Sequence, residues 1–126
     1  MVDITPPNPQ ARQIVEGYGE FRFRIAGLAH QGSVIVFPER TIPWAVANFE
    51  EVTEASLAPV FAAATALDLV LLGCGAGMRP VPAELRAALR RAGIAVETMD
   101  TGAACRTYNV LAAEERRVAA ALIAVG

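Results

Sequence analysis

Two short apolar runs, Leu69-Val70-Leu71-Leu72 and Ile94-Ala95-Val96, flank a segment in which Leu85, Ala88, Leu89 and Ala92 recur at helical spacing. Pro82 stands where that helix would begin and Gly93 just beyond its end, while Arg86, Arg90 and Arg91 take the wet side. Strand, helix and strand fit into the 31 residues from Leu69 to Met99, the length of one βαβ crossover. A connection of that kind returns its second strand parallel to the first, and a parallel pair must be covered on both faces. The fold class expected is therefore α/β, with a mixed sheet between helices.

The flanks read differently. Residues 1–16 carry Pro6, Pro7 and Pro9 with little periodicity and are expected to be a flexible lead-in, with a single domain over 17–126. Phe21, Phe23 and Ile25 alternate with Arg22 and Arg24, Ala26-Gly27-Leu28 supplies a turn, and Ser33 to Phe37 is apolar after its serine. Thr41 to Val46 looks extended, with Pro43 marking an edge strand and Trp44 a core or edge anchor. The first third is thus an amino-terminal β-meander. Were its Phe21, Phe23 and Ile25 side left exposed, it would offer a docking strip or a homodimer contact. Leu57, Val60, Phe61 and Ala64 share a helical face behind a Ser56 N-cap. Beyond the crossover, Ala103 to Leu111 and Glu114 to Val125 both read as carboxyl-terminal helices.

Composition removes whole classes of function. The 126 residues hold eleven basic and thirteen acidic side chains, a formal charge of −2, so nothing marks a nucleic-acid or anionic-membrane surface. Every basic residue is arginine, which excludes Schiff-base and P-loop lysines. One histidine and two cysteines form no zinc set, and neither a metal nor a cofactor is implied. The longest strongly apolar stretch, Leu67 to Met78, contains Asp68 and falls short of the roughly 20 residues of a membrane span. The start, Met1 to Pro7, resembles neither a signal nor a transit peptide, and a cytoplasmic protein with reduced thiols is expected.

Candidate chemistry gathers in two loops leaving the carboxyl ends of the parallel strands, where ligands of open α/β sheets bind. The first is Gly73-Cys74-Gly75-Ala76-Gly77-Met78-Arg79, whose amides and guanidinium could hold a small anion. It is no dinucleotide fingerprint: the spacing is GxGxG, the helix waits until Pro82, and Glu97 only superficially recreates the ribose-binding acid. The second runs from Asp100 and Thr101, either of which can cap a helix, to Arg106, Tyr108 and Asn109. Two readings stay open. Gly73, Cys74, Gly75, Gly77, Arg79, Asp100, Thr101, Arg106, Tyr108 and Asn109 either line an anion-binding cleft, or form a buried polar network that pins helix to sheet, with Arg106→Ala then strongly destabilising. Cys105, in a first helical turn, would have its thiol acidified by the helix dipole, whereas Cys74 reads as buried and inert. The lone His30 falls in the meander, so no catalytic residue is assigned.

The run Asp100-Thr101-Gly102-Ala103-Ala104-Cys105-Arg106-Thr107-Tyr108-Asn109-Val110-Leu111, continued from Glu114 to Ile123, resembles the carboxyl-terminal signature of the family of mitochondrial complex I assembly factor 3. Leu71-Leu72-Gly73-Cys74-Gly75, Pro43-Trp44 and Gly32 to Val36 agree with it in order and spacing, with Cys74 standing where the family usually has threonine. The resemblance implies a three-layer single domain around a mixed sheet and no established catalysis. It also implies that the protein acts by binding other proteins, such as complex I subunits or assembly proteins.

Overall fold

The computed structural model describes residues 12–126. In chain order the elements are β1 (Val15–Gly19), β2 (Arg22–Ile25), β3 (Leu28–Gln31), β4 (Val34–Phe37), β5 (Arg40–Pro43), α1 (Ala58–Ala62), β6 (Leu69–Gly73), α2 (Ala83–Arg91), β7 (Ala95–Met99), α3 (Thr101–Ala113) and β8 (Val118–Leu122). Strands β1, β2 and β3 form the antiparallel meander. The main sheet has the order β5-β4-β8-β6-β7, with β6 parallel to both β7 and β8, and β4 antiparallel to β5 and β8.

Each central strand is apolar on both faces, and the faces bury against different partners. Ile35 and Phe37 of β4, Val70 and Leu72 of β6 and Ala119 and Ala121 of β8 pack with Leu57, Val60, Leu85 and Leu89. The alternate residues Val34, Val36, Leu71, Ala120 and Leu122 pack with Ala104, Tyr108 and Ala112 of α3 and with Val15, Phe23 and Ile25 of the meander. Three layers result: α1 and α2, the sheet, then α3 with the meander. The βαβ unit is present with β7 beside β6, the α/β class stands, and α2 buries Leu85, Ala88 and Leu89 as its periodicity requires.

Four expectations are corrected. The segment Glu114 to Val125 is not a helix; after α3 ends, Val118–Leu122 becomes the middle strand of the main sheet, every residue buried. Alanine, glutamate and arginine favour a helix locally, yet eight consecutive apolar residues, Val118 to Val125, leave no polar face for one, and small side chains let α3 pack closely on the sheet. Ordered structure also begins before Gly17: Gln13 and Val15 are buried and β1 opens at Val15, whereas residues 1–11 of the expected lead-in lie outside the described ones. Phe21 is 58% exposed while Phe23 and Ile25 are buried. Glu20 and Phe21 form the two-residue turn between Gly19 and Arg22, both with positive φ (53° and 58°), which lifts the Phe21 ring away from the alternation. Ser56 is no N-cap: its hydroxyl accepts from the Thr53 amide, and the Thr53 hydroxyl accepts from the Ser56 amide, ahead of a helix only five residues long. Trp44 follows the edge strand β5, buried, its Nε1 donating to the Ser56 carbonyl at 2.8 Å.

Candidate functional site

The carboxyl ends of β7, β6 and β8 lie side by side, Gly73 opposite both Met99 and Leu122. A side chain at Gly73 would meet Leu122 Cδ2 at 3.0 Å and the Thr101 Cα at 3.1 Å, so glycine here lets the first turn of α3 sit directly on the strand end. The loops that leave these strands are joined by hydrogen bonds. Cys74 donates its amide to Met99 (2.8 Å), Thr101 donates its amide to the Gly75 carbonyl (2.9 Å), and the Gly75 amide donates to Thr101 Oγ1 (3.0 Å). The same hydroxyl donates to the Ile123 carbonyl at 2.7 Å, so one fully buried threonine ties the exits of β6 and β8 to the start of α3. Asp100 caps that helix, its carboxylate accepting from the Ala103 amide at 2.8 Å.

The remaining residues divide between the two outer layers. Arg79 pairs with Glu50 at 2.9 Å and lies over the Phe49 ring on the α1 side. Glu50's carboxyl is held below its ordinary range, first by its own backbone hydrogen bond and then by Arg79. Gly77 has open space around its Cα and Met78 is exposed. On the other side, Arg106 reaches the Tyr18 hydroxyl at 3.5 Å and is exposed, with neither Asp100 nor the Gly73 loop as its partner. Tyr108 is fully buried and donates to the Gln13 carbonyl at 2.8 Å. Asn109 accepts from the Val15 amide (2.9 Å) and donates to the Val15 carbonyl (2.8 Å). Arg12 adds a bond to the Ala112 carbonyl. The loop pair therefore brings together Gly73, Cys74, Gly75, Asp100 and Thr101. Tyr108 and Asn109 instead fasten α3 to residues 13–15, and Arg79 and Arg106 are engaged in opposite layers. Sequence reasoning missed Gln13 and Val15, because no local periodicity marks them and the α3 residues they meet, Tyr108 and Asn109, lie more than 90 residues away.

Neither thiol is activated. The helix begins at Thr101 rather than Ala103, so Cys105 sits beyond the first turn, buried, and desolvation pushes its thiol up to about 12, against the expected lowering. Cys74 is buried with Sγ 3.5 Å from the Leu72 carbonyl, and burial raises it as well. His30 lies in β3 with Nε2 buried and without a partner among the described residues, and desolvation lowers its pKa. Among the described residues no group of three or more histidine, cysteine or acidic side chains could hold a metal ion, and no helix is long and apolar enough to cross a membrane.

The profile of a protein family described as a protein of unknown function (DUF498/DUF598) matches residues 15–123. An uncharacterised protein of Rhodobacter capsulatus is 40% identical over 109 residues, 86% of this chain and 82% of its own length. The NADH dehydrogenase (ubiquinone) 1 alpha subcomplex assembly factor 3 of Danio rerio is 33% identical over 122 residues, 97% of this chain and 70% of that protein. Two solved structures share the fold. The crystal structure of a Bartonella henselae protein, described as an outer membrane protein, has a TM-score of 0.87 at 35% identity, covering 94% of this chain and 100% of that one. An NMR structure from Rhodopseudomonas palustris has a TM-score of 0.82 at 40% identity, covering 99% and 93%.

Proposed function

The chain belongs to the family described as a protein of unknown function (DUF498/DUF598), and we propose that it is a non-enzymatic interaction protein assisting assembly of respiratory complex I from the cytoplasmic side. The observation that carries this reading is the identity to the zebrafish assembly factor, which runs through 97% of the chain and so takes in all three layers rather than one motif. The site's chemistry supports it. Thr101, Asp100, Tyr108 and Asn109 spend their polar atoms on backbone groups of the fold, and both thiols are shifted away from reactivity. In this reading Gly73, Cys74, Gly75, Asp100, Thr101, Tyr108 and Asn109 are scaffold, and binding belongs to the exterior.

Co-purification of tagged protein from its native host in mild detergent, quantified by mass spectrometry against a tag-only control, tests the proposal. Complex I subunits or their assembly proteins are expected to be enriched, and deletion of the gene is expected to reduce the fully assembled enzyme on native gels. Recovery of the protein alone or only with itself, together with unchanged complex I levels, would refute it. A small anion held between the Gly73 and Asp100 loops is the competing reading. It requires phosphate or a dicarboxylate to raise the melting temperature and Arg79→Ala or Arg106→Ala to abolish the rise; no rise is expected.

A further inference from the structure

The main sheet has two edges, and they are guarded differently. β5 opens with Arg40 and closes with Pro43, and charge and proline are how edges refuse another strand. β7 has no proline and keeps an unbroken register with β6 from Leu69↔Ala95 to Gly73↔Met99. The Ala95 amide donates to Asp68 and the Met99 carbonyl accepts from Cys74, so Ala95, Glu97 and Met99 direct their main-chain groups into the sheet. Val96 and Thr98 consequently turn an N–H and a C=O each to the outside. Beside this edge, on the α2 face, lies a hollow of about 380 Å³ lined by Arg86, Arg90, Ile94 and Val96, among others. Among the described residues neither Arg86 nor Arg90 has an ion-pair partner, whereas Arg22, Arg24, Arg79 and Arg117 all do.

We infer that β7 accepts a sixth strand from an acidic, extended segment of a partner protein. Main-chain bonds to Val96 and Thr98 supply the pairing, and carboxylates on alternate residues meet Arg86 and Arg90. The opposite face of the added strand lies beside Glu97, which is exposed and repels a carboxylate there. The recognised pattern is thus acidic at every second residue and apolar between. A second copy of this chain fits less well: antiparallel β7–β7 pairing about a two-fold axis through the sheet sets both arginine pairs on the same face. The inference rests on the interaction-protein reading and adds the chemistry of the partner to it.

The test uses the whole chain, ¹⁵N-labelled, and a capped heptapeptide alternating glutamate with valine. The peptide should slow amide exchange at Val96 and Thr98, and its lysine-for-glutamate counterpart should not. Thr98→Pro removes an outward N–H that no internal bond uses, and Arg86→Glu with Arg90→Glu reverses the charge; each should weaken binding about tenfold or more while leaving melting unchanged. Equal binding of both peptides, protection confined to other residues, no binding, or concentration-dependent self-association that protects the same amides would each overturn the inference. The variants also belong in the co-purification experiment. Respiratory partners retained by all of them would sink the edge and spare the assembly reading, whereas peptide binding without any such partner would do the reverse.

Discussion

Thr101→Val removes one hydroxyl and keeps the volume, which isolates what that hydroxyl does. Two backbone groups lose a partner: the Gly75 amide at 3.0 Å and the Ile123 carbonyl at 2.7 Å. An unsatisfied buried group costs about 1–3 kcal/mol. The Ile123 carbonyl belongs at the upper part of that range, because its bond is fully buried, whereas the half-buried Gly75 can recruit water and belongs at the lower end. The methyl gained returns about 0.8 kcal/mol at most. Valine and threonine have similar helix propensities, so the first turn of α3 contributes little to the difference. The expected loss is about 2–3 kcal/mol, read in urea as a lower midpoint at constant slope. Thr101→Ser keeps the hydroxyl and should cost about 1 kcal/mol, for one methyl group. A loss below about 0.5 kcal/mol for valine, or equal losses for valine and serine, would refute the view that this hydroxyl ties the two strand exits to the helix.

Arg106→Ala should change stability by less than about 0.5 kcal/mol, because the side chain is exposed and its contact with Tyr18 is long; a strong loss in urea would restore the buried network expected from sequence. Both thiols should alkylate with iodoacetamide far more slowly at pH 8 than in the urea-unfolded chain, and equal rates would mean that they are open to solvent. Since burial raises Cys105 from about 9 to about 12, folding holds its proton: the contribution is complete below about pH 9 and is lost as pH climbs toward 12. Cys105→Ala should flatten that alkaline decline, and an unchanged pH profile in urea would count against the shift. Ala120→Leu forces extra volume between β8 and α3 and should cost about 1–3 kcal/mol, whereas Val110→Ala, on the exposed side of α3, should cost almost nothing; equal melting temperatures for the two would contradict the layer assignment.

Where sequence reading succeeded, the decisive interaction was local. The spacing of Leu85, Ala88 and Leu89, with Pro82 before and Gly93 after, contains the whole instruction for α2, and the apolar run Leu69–Leu72 fits only a buried element. The positions of Gly73 and Asp100 at strand ends followed from the same crossover, and so did the meeting of their loops. The failures share a cause as well. Val118–Leu122 carries residues that locally favour a helix, and its strand state depends on β4 and β6, more than 30 residues away along the chain, waiting with unpaired main-chain groups on either side. Arg79 and Arg106 looked alike in sequence, but which layer each entered was set by Phe49 and Glu50 on one side and Tyr18 on the other.

By itself, then, the sequence determined the class of fold, the crossover at its centre, the placing of the loops and, through two separated motifs, the family. The tertiary structure alone decided that the last segment completes the sheet, that Asp100 and Thr101 spend their side chains on backbone groups, and that among the described residues β7 is an edge strand beside Arg86 and Arg90, which have no ion-pair partner there. The physical reason is range. Periodicity and capping are set within a few residues, whereas a main-chain group is satisfied only by whatever the folded chain brings to it, and no local pattern records that partner.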